Sequence, residues 1–159
     1  MSETANTGMM SADILLVEDN PQDAELTMRV FRKSNLANRL TWVKDGAEAL
    51  EYVFGLSDDP AAPLAHFPQL VLLDLKLPKV DGHEVLQRLK GDARTRAIPV
   101  VILTSSREER DVELSYRMGV NSFIVKPVQF EAFVEAVTRV GMYWVLLNQP
   151  PDRRPAGGG

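Results

Sequence analysis

The sequence predicts an α/β domain built on an open, doubly wound sheet of five parallel strands with helices on both faces. Short apolar runs alternate five times with longer amphipathic segments, and that strict alternation implies parallel pairing through right-handed crossovers. Most of the runs are nearly continuous in Val, Ile and Leu, the pattern of strands covered on both faces. A length of 159 residues suits one hydrophobic core.

The strands fall at 13–17 (DILLV), 39–43 (RLTWV), 69–74 (QLVLLD), 99–104 (PVVILT) and 122–125 (SFIV). RLTWV alternates apolar with polar residues, as an edge strand does. The first helix starts at Pro21, with Asn20 as N-cap and proline at the first helical position, and buries Ala24, Thr27, Val30 and Phe31. The second, 46–54, follows Asp45 as a cap and places Ala47, Leu50, Val53 and Phe54 on one side. The third, 82–91, buries Val85, Leu86 and Leu89. A fourth, 106–118, is mostly charged and ends at Gly119, a left-handed C-cap. The last, 128–147, carries Phe130, Phe133, Val134, Val137, Val140, Trp144 and Leu147, more apolar surface than one core-facing stripe requires. Part of that surface is expected to meet a partner. Residues 1–11 and 148–159 read as flexible ends around a domain at 12–147, and 55–68, with three prolines, as an extended loop.

Composition removes several function classes. A net charge of −4 gives no electrostatic reason to bind nucleic acid or an anionic membrane. The absence of cysteine removes disulfides, thiolate catalysis and Cys-ligated zinc, and fits a reducing compartment. The N-terminus lacks a signal-peptide pattern and no apolar run is long enough to span a bilayer, so a cytoplasmic location is expected.

In doubly wound sheets ligands bind beyond the carboxyl ends of the strands. The first polar side chains there are Glu18 and Asp19 after the first strand, Asp74 after the third, Thr104 after the fourth and Lys126 after the fifth. If the first and third strands are neighbours, three carboxylates converge, and such a group either raises a pKa or binds a cation. Mg²⁺ suits an all-oxygen set without His or Cys. Together with Lys126 and the Thr104 hydroxyl, the set meets the needs of phosphoryl transfer onto Asp74.

The order Glu18-Asp19, Asp74 followed by LPKVDG (77–82), Thr104 and Lys126-Pro127 closely resembles the receiver domain of two-component response regulators across about residues 12–147. VFRKSNL, the long loop before the third strand, VVILTSS and a terminal YWVLLNQPP further resemble the small single-domain regulators that pair with bacterial phytochromes. The resemblance implies a flavodoxin-like sheet in the order 2-1-3-4-5. It implies that Asp74 is the phosphoacceptor, that Glu18, Asp19, Asp74 and the Lys76 carbonyl hold Mg²⁺, and that Thr104 and Lys126 contact the phosphoryl group. It makes Thr104 and Phe123 the switch pair and the Lys126-Pro127 peptide cis, which only proline makes cheap. Glu18 stands where Asp is commonest, a reach that suits ligation through water. Ser105 follows Thr104 where a smaller residue is usual, and Lys76 and Ser106 occupy positions where side chains screen attacking water.

The expected function is a phosphorylation switch, not a turnover enzyme, although it assists its own phosphorylation and dephosphorylation. Asp74 takes a phosphoryl group from a histidine kinase, through the resemblance a bacteriophytochrome. The fourth helix, fifth strand and terminal helix then change protein contacts. With no room for a further module after residue 147, homodimerisation through Phe130, Val134, Val137, Tyr143 and Trp144 is the expected output. The alternatives are a receiver-like scaffold that is never phosphorylated and an aspartyl-phosphate hydrolase, against which Lys76 speaks because such hydrolases carry an acid there. A nucleotide-binding protein is disfavoured by the lack of GxGxxG and GxxxxGK[ST] motifs.

Overall fold

The computed structural model of the chain describes residues 13–36, 39–77, 80–104, 117, 119–120 and 122–142. In order, its elements are β1 (Ile14–Val17), α1 (Pro21–Lys33), β2 (Leu40–Val43), α2 (Gly46–Phe54), β3 (Leu70–Asp74), α3 (Gly82–Gly91), β4 (Val100–Thr104), β5 (Phe123–Val125) and α4 (Phe130–Arg139). The five strands form one parallel sheet in the order β2-β1-β3-β4-β5. This is the flavodoxin-like order, with RLTWV at an edge as its alternation predicts. The fourth expected helix, 106–118, lies outside the described residues except for Arg117, as do Ser105, Ser106, Tyr143, Trp144 and Leu147.

The side-chain period of two divides each strand between two cores. Ile14 and Leu16 of β1 join Leu70, Leu72, Val101 and Leu103 under α1 and α4. Leu15 and Val17 join Val71, Leu73, Val100 and Ile102 under α2 and α3. On the first face Phe31 of α1 meets Phe133 of α4 with ring centroids 4.9 Å apart. Both faces of the central strands β1, β3 and β4 are therefore closed, and the strand ends are left to carry polar chemistry.

The helix starts follow their caps. Asn20 Oδ1 accepts from the N–H groups of Gln22 (2.8 Å) and Asp23 (3.1 Å), ahead of Pro21, which satisfies two of the donors a helix N-terminus leaves open. Asp45 Oδ1 accepts from Glu48 N–H at 2.8 Å, and Glu48 reaches back to Lys44 N–H at 2.6 Å. Gly119 has φ +92°, as its expected C-cap role requires.

Three expectations are corrected. In α2 the inward stripe is Gly46, Ala49, Val53 and Phe54; Ala47 is exposed and Leu50 half-buried. Gly46 is pressed against the Val80 backbone so closely that a Cβ would strike its carbonyl, and that approach turns Ala49 inward in place of Ala47. The loop 55–68 is not extended: it turns at Asp59, whose carbonyl and carboxylate accept from Ala62 and Ala61, and folds back so that Ala65 and His66 donate to Val53 O. The terminal helix does not run unbroken through 128–147. It ends at Arg139 in a Schellman motif, with Gly141 at φ +81° donating to Thr138 O (3.0 Å) and Met142 donating to Val137 O (2.8 Å). Met142 and Val137 share one apolar cluster, the contact that accompanies this cap.

Candidate functional site

Parallel pairing of β1 with β3 sets Val17 opposite Leu73, so the next residues, Glu18 and Asp74, leave the sheet side by side. The backbone of Glu18 is fixed on the β2 side: its N–H donates to Val43 O at 3.1 Å, and the Trp42 indole N–H donates to its carbonyl at 2.7 Å. Its side chain folds back over the α1 start, where Oε2 accepts from Asn20 N–H at 3.1 Å. Asp74 Oδ1 accepts from Lys76 N–H at 3.0 Å. Gly82 comes down on this turn, its N–H donating to Leu75 O at 3.1 Å, and a Cβ there would strike the Asp74 carbonyl. Glycine is required at that approach.

Lys126 enters from β5. Its N–H donates to Thr104 O at 2.7 Å, and the peptide to Pro127 is cis, as expected. Its Nζ lies 2.8 Å from Asp74 Oδ2, 3.0 and 3.3 Å from the two Glu18 oxygens and 3.0 Å from Asp23 Oδ2. The cluster is largely buried: the side chains of Glu18, Asp74 and Lys126 are 0%, 7% and 9% exposed, and Asp23, at 30%, is its most open member.

The electrostatics follow from that burial. Burial, then the Asp74 charge, raises the Glu18 carboxyl to a pKa of about 7, against the opposing pull of Lys126 and Asn20. Burial alone would lower Lys126, but its hydrogen bonds to Asp74 and Asp23, with the Asp74 charge and Glu18, more than offset this and hold it above the ordinary lysine value. The ammonium is firmly charged, and the carboxylate set carries more negative charge than one lysine balances.

The strand ends thus bring together Glu18, Asp19, Asp74 and Lys126. Carboxylate oxygens of Glu18, Asp19 and Asp74 lie within 4.8 Å of one another. Three hard oxygen donors, one of them on the exposed Asp19, fit a divalent cation that keeps part of its water shell. Thr104 and Phe123 are both half-buried, Thr104 at the end of β4 and Phe123 at the start of β5, packed against the second core. Val137 is fully buried under the first core, so it fills the interior and is unavailable to a partner. Of the described interface candidates Phe130 is exposed and Val134 half-buried.

Asp23 is the site residue that local sequence patterns do not reveal. Acidic residues are common in the first turn of any helix because they complement its dipole, and the lysine it meets lies 103 positions further along the chain.

Comparisons with known proteins agree with this geometry. Residues 14–138 match the family model described as response regulator receiver domain. Among curated proteins the chain is 45% identical over 138 residues to the probable methanogenesis regulatory protein FilR2 of Methanothrix harundinacea, covering 87% of this chain and 86% of that one. It is 36% identical over 132 residues to response regulator Rcp1 of Synechocystis sp., covering 83% and 88%. Among solved structures it resembles the bacteriophytochrome response regulators AtBRR (51% identity, TM-score 0.73, 87% of this chain and 99% of that one) and RtBRR (49%, 0.74, 89% and 85%). The Mn²⁺-bound form of Rcp1 is also similar (34%, 0.66, 89% and 99%). On the family match and these identities together, the chain belongs to the response regulator receiver domain family.

Proposed function

We propose that the chain is a phosphorylation switch whose acceptor is Asp74 and whose donor is a histidine kinase. The observation that carries this reading is the Lys126 ammonium 2.8 Å from Asp74 Oδ2, inside a carboxylate cluster suited to a divalent cation. In the reaction an Asp74 oxygen bonds to phosphorus as the N–P bond of a phosphohistidine breaks. The imidazole nitrogen keeps the bonding pair. Mg²⁺, held by Glu18, Asp19, Asp74 and the Lys76 carbonyl, supplies positive charge against the phosphoryl oxygens when bound. Lys126 supplies a second positive charge from a fixed position. The rigid β3 strand and the Gly82 approach hold the acceptor still, and the buried surroundings keep competing water scarce. Thr104 donates its hydroxyl to the phosphoryl group and Phe123 follows it inward, so added charge at Asp74 becomes a change on the surface of β5 and α4.

Residues 12–147 form the receiver unit in this reading, acting in the cytoplasm. The likeness to AtBRR and RtBRR supports a bacteriophytochrome as the kinase. Output runs through protein contact, and Phe130, 39% exposed, with Val134 offers α4 surface for a second copy of the chain. The test is incubation with acetyl phosphate and Mg²⁺, read by intact mass and size-exclusion chromatography. Wild type gains one phosphoryl group only with Mg²⁺, Asp74→Asn gains none, and elution of the phosphorylated form reports the dimer. Equal uptake by Asp74→Asn would remove the assignment, and release of free phosphate without accumulation would favour the hydrolase.

A further inference from the structure

We infer that Asp23 is a positioning residue: it anchors the Lys126 ammonium while the other partners of that lysine are taken over by metal and phosphoryl group. The inference rests on the phosphoacceptor reading of Asp74 and adds to it a residue on the first turn of α1. A lysine ammonium has three N–H groups and no acceptor. Here they face three carboxylates, those of Glu18, Asp74 and Asp23, at 2.8–3.3 Å. Every donor is committed before any phosphoryl group arrives.

The three carboxylates are not equivalent. Glu18 and Asp74 belong to the cluster with Asp19 that can share a cation; Asp23 does not. Glu18 and Asp74, if they shared a divalent ion there, would have their charge offset and their hold on the ammonium weakened. Asp23, outside that cluster, would keep its hold on it. The donor that Glu18 gives up is then free for a phosphoryl oxygen, while the bond to Asp23 keeps the lysine from following Glu18 or turning to solvent.

The anchor is itself held. Asp23 is the third residue of α1, and its backbone N–H donates to Asn20 Oδ1 at 3.1 Å. Pro21 presets the backbone of this first turn. The N–H of Asn20 in turn donates to Glu18, so one turn of chain fixes both the carboxylate that yields the lysine and the one that retains it. At 30% exposure Asp23 sits at the open side of the cluster, nearer to water than Glu18 or Asp74. Ion-pair surroundings of this kind raise a rate by orientation, and orientation losses are large for small displacements.

The experiment compares wild type, Asp23→Asn and Asp23→Glu, each checked for folding by circular dichroism. Mg²⁺ affinity is read from Trp42 fluorescence, since its indole donates to the Glu18 carbonyl. The rate of phosphoryl uptake from acetyl phosphate at saturating Mg²⁺ is read by intact mass. The anchor role predicts that Asp23→Asn keeps Mg²⁺ affinity within about twofold and slows uptake about tenfold, and that Asp23→Glu, which restores the charge, recovers most of the rate. An unchanged or faster rate in Asp23→Asn overturns the inference, because the contact would then be idle or a brake. A rate loss matched by an equal loss of Mg²⁺ affinity also overturns it, since Asp23 would be acting on the metal. If wild type takes up no phosphoryl group, the reading of Asp74 fails, and the inference with it.

Discussion

Replacing Lys126 with methionine removes one cation from among three carboxylates and leaves the length and girth of the side chain nearly unchanged. The Nζ bonds it deletes run 2.8 Å to Asp74, 3.0 Å to Asp23 and 3.0 and 3.3 Å to Glu18. Glu18 and Asp74 are almost fully buried and are left uncompensated, a change that costs about 3–5 kcal/mol when a buried partner is deleted. Direct repulsion gives the same scale: two charges no more than 4.8 Å apart repel by at least about 3 kcal/mol at an effective dielectric of about 20. The variant therefore melts on the order of 10 °C lower at pH 8 in EDTA.

Glu18 sets the pH dependence of that deficit. Its folded pKa, about 7, lies above the ordinary 4.5, so the stability its neutral form contributes is present below pH 4.5 and lost as pH rises through 7. At pH 5.5 Glu18 is protonated and no longer misses the cation, whereas Asp74 and Asp23 still do, so the deficit shrinks to about half. Saturating Mg²⁺ also narrows it, because the cation offsets the carboxylate charge that the variant leaves unbalanced, so the variant binds it more tightly and gains more stability by mass action. The assay is urea unfolding of both proteins at the two pH values, with EDTA or Mg²⁺. A deficit below about 1 kcal/mol at pH 8, or one larger at pH 5.5 than at pH 8, would refute this reasoning.

Two other perturbations follow from the packing. Gly82→Ala forces a Cβ into the Asp74 carbonyl and the Leu75 Cα; it is expected to cost about 2–3 kcal/mol and to weaken Mg²⁺ binding, both read by titration and melting, and a variant with unaltered metal affinity would show that the turn tolerates the shift. Arg94 bonds Asp92 and the Ala62 carbonyl and lies over the Phe54 ring, tying loop 55–68 to the segment after α3. Arg94→Ala should speed chymotrypsin cleavage after the exposed Leu56 roughly threefold to tenfold by local opening while phosphoryl uptake stays unchanged; equal cleavage rates would mean the loop is held by other contacts, such as the Tyr52–His66 stack.

Much of this molecule was legible because local and global signals agree. The near-continuous apolar runs marked strands covered on two faces, and Asn20-Pro21 and Asp45 marked helix starts with a mechanism behind each. The first polar residue after each strand then led to the site. What stayed hidden depends on tertiary contacts. Ala49 rather than Ala47 faces inward because Gly46 abuts the Val80 backbone, a contact more than thirty positions away in the chain. The end of α4 at Arg139 is masked by apolar residues that continue past Gly141, so helical periodicity outweighed one glycine. Val137 read as surplus apolar surface, yet it packs beneath α4 with Met142. Asp23 reads as an ordinary first-turn acid until β5 delivers Lys126 to it.

The central claim is that Asp74 is the acceptor of the phosphoryl group. Borohydride reduces an aspartyl phosphate to homoserine, so protein treated with acetyl phosphate and Mg²⁺, then trapped and digested, reports the acceptor by peptide mass. Homoserine at position 74, and at no other carboxylate, is the expected result. Homoserine at Asp19 or Asp23, or trapped product that forms equally in EDTA, would contradict it.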